Sequence, residues 1–474
     1  MKRTIAFVAI LLSLTVLQAA RAGEKKTTLD DQKEVAVTIY NQDLALVRDR
    51  RTVALDSGEN VLAFREVSAK IRPETALIKD LSHPDGFFVI EQNFDFDLLT
   101  PQKLLEKYVG RKVGIIRTHP ATGEETEEEA TVLSANNGVV IRAGDRIETG
   151  VPGRLVYRDI PENLRDRPTL VLYLNSPVSG SQDMELSYLT GGLGWKADYV
   201  AELDPRDTKL DISGWVTLTN TSGATYKNAR LQLVAGDVHR AQPEGYADRV
   251  FEGMAMTKAA AAPRMAEEAL FEYHLYTLDR PATIAENQTK QVALLSASGV
   301  PVTKEFLLMG NEYYYTSSYG DLGQKMKAGV FVEFMNKEEG GLGMPLPKGV
   351  VRVYKKDSAG NAQFVGEDSV DHTPKNEEVR LKLGDAFDVT ADKKQTDFKK
   401  VGDRTYESAY EFVIKNAKPE PVTVKVQEPM PGDWSVVSES HKHAKEAAGT
   451  AVWLVDVPAE GKATLTYRVR VRFM

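Results

Sequence analysis

His441-Lys-His443 sets two imidazoles on one face of an extended chain, a spacing that suits zinc or copper. A third ligand is needed, and only Glu439 and Glu446 lie close by; the segment therefore reads as an exposed polar loop between strands. Asp371-His372 with Ser369 supplies the residue types of a hydrolytic triad. No Gly-x-Ser-x-Gly turn is present to offer the serine, however, and triad members must meet in space. Gly191-Gly192-Leu193-Gly194 lacks both the Lys-Ser/Thr of a phosphate loop and the helix of a dinucleotide site. It reads as a glycine turn or bulge that lets Trp195 into a core. Five glutamates at 124, 125, 127, 128 and 129 lack the alternating Asp, Asn and Gly that a calcium loop uses, so a solvated hairpin loop is expected.

Two clusters suit recognition better than bond chemistry. Tyr313, Tyr315 and Tyr319 offer a flat platform for sugar rings, or else pack across strands. Arg468, Arg470 and Arg472 alternate with Val469, Val471 and Phe473, which aligns three guanidinium groups on one face of the last strand. Such a row is a plain solvent face or a grip for anionic glycan or lipid headgroups. From the sequence alone no catalytic, cofactor-binding or metal-binding residue is assigned, and no cofactor is expected. These six tyrosines and arginines are the candidate interaction surface.

The elements that must position them are mostly strands. Val35, Val37 and Ile39 alternate within Glu34–Tyr40, the period of a half-buried strand. One helix is signposted: Thr100 caps it, Pro101 opens it, Leu104, Leu105, Tyr108 and Val109 recur at helical spacing, and Gly110 ends it. Short strands joined by Asn136-Asn137-Gly138 and Ala143-Gly144-Asp145 then suggest a small SH3/OB-like barrel. The fold class is mainly β. Residues 30–167 are expected to form an N-terminal β module with that barrel, 168–398 a central β-sandwich region, and 399–474 an immunoglobulin-like β-sandwich. Inside the central region, about 240–268, an Ala/Met-rich stretch reads as a mobile insertion with a transient helix over 264–270.

Lys2 and Arg3, the apolar run Ile5–Leu17 and Ala20-Arg21-Ala22 form a secretory signal peptide over residues 1–22, with cleavage expected near Ala22. The run is too short for a comfortable membrane span, which needs about 20 apolar residues. The location expected is periplasmic or secreted. With no cysteine, the chain has no disulfide framework, no thiolate chemistry and no site for lipid attachment at the cleavage junction. The net charge of −8 becomes more negative once Lys2, Arg3 and Arg21 leave, which argues against general nucleic-acid binding. Phe473 next to the C-terminus is a feature of outer-membrane barrels, yet no regular series of lipid-facing strands accompanies it; the protein is not expected to be integral to the membrane.

Ser187–Leu203 with its Thr-Gly-Gly-Leu-Gly-Trp turn, Leu210-Asp-Ile-Ser-Gly-Trp215, the Lys-Asn-Ala-Arg-Leu-Gln-Leu-Val-Ala-Gly-Asp run ending at Asp237, and Leu346-Pro-Lys-Gly-Val-Val-Arg-Val-Tyr354 occur in a distinctive order. Together they resemble a bacterial exported domain-of-unknown-function family related to mucoidy-inhibitor-like envelope proteins, over most of the chain from about residue 35. The resemblance implies β architecture and export and brings no catalytic residues with it. The long heptad-patterned helical insertion of the mucoidy-inhibitor members has no counterpart here, so a role that needs a protruding coiled coil does not carry over. The function expected is a non-enzymatic envelope protein with a structural or interaction role, whose partner is an envelope protein or an anionic surface polymer. The alternatives are a secreted hydrolase acting on envelope polymer and a carbohydrate-binding module array.

Overall fold

A computed structural model describes residues 23–236 and 265–473, apart from residues 42, 96, 152, 162 and 163. The signal-peptide expectation, and the insertion as far as residue 264, lie outside the described residues. Among the described residues the chain is mainly β with one α-helix. It divides into two compact units that interleave along the sequence. The first takes the chain up to Val37, then Leu46–Gly191 and Ser222–Ala229; the second takes Thr38–Ala45, Gly192–Thr221 and everything from Arg230.

In the first unit a four-stranded sheet runs in the order Lys25–Thr27, Gly58–Arg65, Thr169–Ser176, Phe88–Asp95. Only its first pair is parallel. Arg51, on the strand Leu44–Leu55, is fully buried here. Its guanidinium donates to Asp49 Oδ2 at 2.7 Å and to the Thr27 carbonyl at 3.2 Å, and lies 4.0 Å from the centre of the Phe64 ring. Inward charge of this kind persists only when paired, because an isolated ion in an apolar interior is several kcal/mol unfavourable.

The helix forms where its caps predict, over Pro101–Lys107, with Thr100 Oγ1 accepting from Lys103 N. Its Leu105, with Tyr108 just beyond, packs on Val113, Ile115, Ala130, Val132 and Ile141. Those residues belong to a five-stranded antiparallel sheet, ordered Arg146–Thr149, Val140–Ala143, Glu125–Ser134, Lys112–Thr118, Arg154–Val156. Asn137 and Gly138 take the positive φ that their turn requires. The expected SH3/OB-like barrel is thus an open sheet among the described residues. Its edge strands of four and three residues are too short to carry the hydrogen-bond ladder round to closure, and the helix covers the core instead. The glutamates expected in a solvated loop lie partly on the strand Glu125–Ser134. There Glu128 faces Arg117 and Arg146, and Glu129 faces Lys112, so cross-strand charge pairing orders them.

The second unit is built on long strands. Gln288–Met309 pairs with Lys209–Asn220 along its first half and with Asp321–Met335 along its second. Glu378–Gly402 likewise passes from Asp321–Met335 to Thr405–Asn416. The sequence reads as two strands around Gly299-Val300-Pro301, but Gly299 at φ +70° accommodates a register shift and lets one strand continue. Ala266–Leu270 is a strand paired with Tyr273–Thr277, where a transient helix was expected. A tight turn with Phe271 at φ +57° folds the two together, and the pairing wins because so short a segment cannot sustain a helix by itself despite its helix-forming residues.

The final sandwich is centred on Trp453, which is fully buried. Phe412, Ile414, Val424, Val426, Val455, Leu465 and Val469 surround it. Its core also takes Phe306, Leu308, Tyr314, Tyr315 and Ala328, so it draws on chain well before residue 399.

Candidate functional site

Period-two alternation carries two charges into that core. On Glu378–Gly402 the inward series Val389, Ala391 continues to Lys393; on Val422–Pro429 the inward series Val424, Val426 continues to Glu428. Both side chains have no exposed surface, and Lys393 Nζ lies 2.6 Å from Glu428 Oε1. Tyr315 Oη donates to the other carboxylate oxygen, Oε2, at 2.8 Å, and is 3.4 Å from Tyr467 Oη. Tyr315 reaches this point because it ends a short 3-10 turn, Glu312–Tyr315, that folds inward after the long strand.

Aromatic rings enclose the ammonium. Lys393 Nζ lies 3.9 Å from the centre of Tyr314, 4.7 Å from Phe412 and 5.3 Å from Tyr410, distances at which ring faces attract a cation. Trp453 and Tyr410 stack on Tyr467. Gln395 fixes the turn by accepting from Tyr319 N at 2.6 Å and donating to the Tyr314 carbonyl at 3.2 Å. Gly310 closes the remaining side: a Cβ there would come within 2.1 Å of Glu428 Oε2. Burial pushes the Lys393 ammonium below the ordinary lysine value, more than the Glu428 charge restores it. The Tyr315 and Tyr467 hydroxyls are driven well above the usual tyrosine range, chiefly by the same loss of water.

The candidate residues read from the sequence fall around this core without converging. Tyr315 is wholly internal, as just described. Tyr313 is 53% exposed, and Tyr313 and Tyr319 meet edge to face with ring planes at 73°, so they do not lie coplanar. Arg468 and Arg470 do share a face of Gly461–Arg472, with Val469 and Val471 buried behind them and Arg472 exposed at its end. Arg468 Nη1 bonds Asp397 and Glu407, at 2.8 and 3.2 Å, and Arg470 Nη2 bonds Glu407 at 2.9 Å. The row is therefore substantially neutralised.

His443 Nδ1 sits 2.9 Å from Glu439 Oε2, which also accepts from Trp453 Nε1. His441 pairs with Ser440 Oγ, and His372 Nδ1 accepts from Lys348 N. Among the described residues no group of three His, Asp or Glu side chains is placed to hold a metal ion. Gly192 adopts φ +79°, and Trp195 is buried.

Glu407 carries a pH prediction. The hydrogen bond from Arg470, reinforced by Arg468, holds its carboxyl below the usual glutamate value. A folded-state value below the unfolded one means that stability is present above the ordinary glutamate range and is lost as pH falls through the depressed value. Thermal melts should therefore fall on acidification, and less steeply for Glu407→Gln. The same variant at neutral pH removes the carboxylate that Arg468 and Arg470 share, leaving Arg468 its bond to Asp397, and should raise retention on an immobilised polyanion. Unchanged retention would show that the row does not act as a cationic surface.

The sequence profile of one family, described as a domain of unknown function (DUF4139), matches residues 184–473. The chain belongs to the DUF4139 family. The matched region contains the Lys393–Glu428 centre and the Arg468–Arg472 face, so in this DUF4139 protein both lie within the part that defines the family. No curated protein matches the chain.

Proposed function

We propose that this DUF4139 protein is an exported, non-enzymatic component of the bacterial envelope that works by taking an extended segment of another polypeptide along a sheet edge. The signal-peptide pattern at Lys2–Ala22 and the likeness to mucoidy-inhibitor-like envelope proteins support the location. Among the described residues no helix is long and apolar enough to cross a membrane.

The observation that carries the reading is the strand Phe88–Asp95. It ends the four-stranded sheet and is hydrogen-bonded to Thr169–Ser176 on one side. Phe88 and Ile90 are each 55% exposed, with Val89 exposed between them. A strand edge presents backbone donors and acceptors to any extended chain, and exposed apolar residues on it add affinity. Most proteins blunt such an edge with charge, proline or a bulge; here the charges Glu91 and Asp95 and a bulge at Ile90 follow the apolar start Phe88-Val89, which is left as the docking end.

Capture of partners from envelope extracts by the mature chain tests this. Wild-type protein should recover a polypeptide partner, and Ile90→Lys should lower recovery by about tenfold or more, the effect of some 1.4 kcal/mol of lost binding. Equal recovery by both proteins, or recovery of polysaccharide alone, would rule the reading out.

A further inference from the structure

We propose that Lys393 and Glu428 react with each other to form an intramolecular amide bond that covalently joins the two strands of the final sandwich.

The amine and the carboxyl group are already in contact, through the oxygen next to the Cδ that Nζ must attack. Nζ lies 2.6 Å from Oε1 of the carboxylate it must attack, and intramolecular placement of this quality replaces the entropy that a bimolecular encounter would lose. The strands that bear them are not ladder neighbours. Glu378–Gly402 pairs with Asp321–Met335 and Thr405–Asn416, whereas Val422–Pro429 pairs with Gln288–Met309 and Thr450–Val457. The bond would therefore bridge the core from one strand set to the other, between residues 35 apart in sequence.

The surroundings favour the neutral amine that such a reaction needs. An amine attacks only when unprotonated, and a buried pair can reach that state by passing a proton from Nζ to Oε1, leaving an amine and a carboxylic acid. Desolvation already weakens the ammonium. As Nζ bonds to Cδ, negative charge grows on Oε2, to which Tyr315 Oη donates its hydrogen bond, the placement that stabilises an oxyanion. Collapse breaks the Cδ–Oε1 bond. Oε1 leaves as water, carrying the proton already received and a second one shed by Nζ, and Oε2 becomes the amide carbonyl oxygen. One N–C bond forms, one C–O bond breaks, one water is released, and no oxidant or activated donor is required. The product replaces two buried charges by one neutral amide, and water to reverse the reaction is excluded by Tyr314, Tyr410, Phe412 and Trp453. Gly310 fits this scheme because any side chain there would collide with the Glu428 carboxyl group.

Peptide mapping of the mature, folded wild-type protein by mass spectrometry is the test. The expected result is a branched peptide containing both residues, lighter by one water than the sum of its two linear parts and missing from a Lys393→Arg digest. Full recovery of the two linear peptides from wild-type protein would overturn the proposal. Tyr315→Phe keeps the ring and its packing while removing the donor, and should slow conversion by about a hundredfold, as loss of an oxyanion donor does. Conversion at the wild-type rate in that variant would overturn the role given to Tyr315.

Discussion

Lys393→Met should unfold at distinctly lower urea concentration than the wild type, with a loss of about 3–5 kcal/mol, the usual effect of leaving one member of a buried pair without its partner. Methionine fills the same volume, so the loss does not come from a cavity. It comes from Glu428, which keeps its place between Tyr315 and Gly310 with hydroxyl donors but no cation beside it. If the pair has become an amide, the variant also loses a covalent tie between strands and the deficit grows. Glu428→Gln behaves differently. It removes the charge that opposes desolvation at Lys393, so the folded state binds fewer protons than the unfolded chain over a wider range. Its stability should therefore climb between neutral and mildly alkaline buffer. Equilibrium unfolding followed through Trp453, stacked on Tyr467 at 4.5 Å, reports both variants. A Lys393→Met curve that overlays the wild type would show that the pair contributes nothing.

The second large effect belongs to the N-terminal unit. Arg51→Met should destabilise that unit by about 3–5 kcal/mol, because Asp49 Oδ2 loses both guanidinium bonds while remaining buried. Gln32 Nε2 still donates to Oδ1 at 2.9 Å, which limits the damage without replacing the charge. Arg51→Lys should recover little of it: an ammonium lacks the planar fork that reaches Asp49 and the Thr27 carbonyl together from above the Phe64 ring. The double variant Arg51→Met, Asp49→Leu should regain most of the stability. Denaturation followed by far-ultraviolet circular dichroism measures all three, and a double variant as unstable as the single one would place the effect in packing instead of in the unpaired charge.

Much of the architecture was legible because local patterns and tertiary burial agree. The alternation of Val469 and Val471 with arginines matches a buried face and an outer one, whereas Val35–Ile39, expected to be half-buried, is covered on both faces, Ala36 and Thr38 included. The capped helix at Pro101 and the turn at Asn137-Gly138 formed where their chemistry demands. What escaped is equally physical. Lys393 and Glu428 sit on inward positions that alternation alone would mark as apolar, and neither stands out in the sequence as a site. The signal was there, since Val-x-Ala-x-Lys and Val-x-Val-x-Glu both run a charge into the buried register. Its meaning depends on the two strands facing each other, which spacing does not report. Tyr315 reads as one ring of a sugar platform or as a cross-strand packing residue, and is a hydrogen-bond donor inside the core. The strand Gln288–Met309 also escaped as a single element, because a register shift near Gly299 interrupts its pattern without ending its 22 residues.

The central claim is that a partner polypeptide docks on the strand Phe88–Asp95. Hydrogen–deuterium exchange on the mature protein, with and without its captured partner, measures this directly. The claim predicts that slowing of exchange on complex formation is concentrated in the amides of residues 88–95. A bound partner that leaves those amides exchanging as in the free protein, and protects another surface, would contradict it.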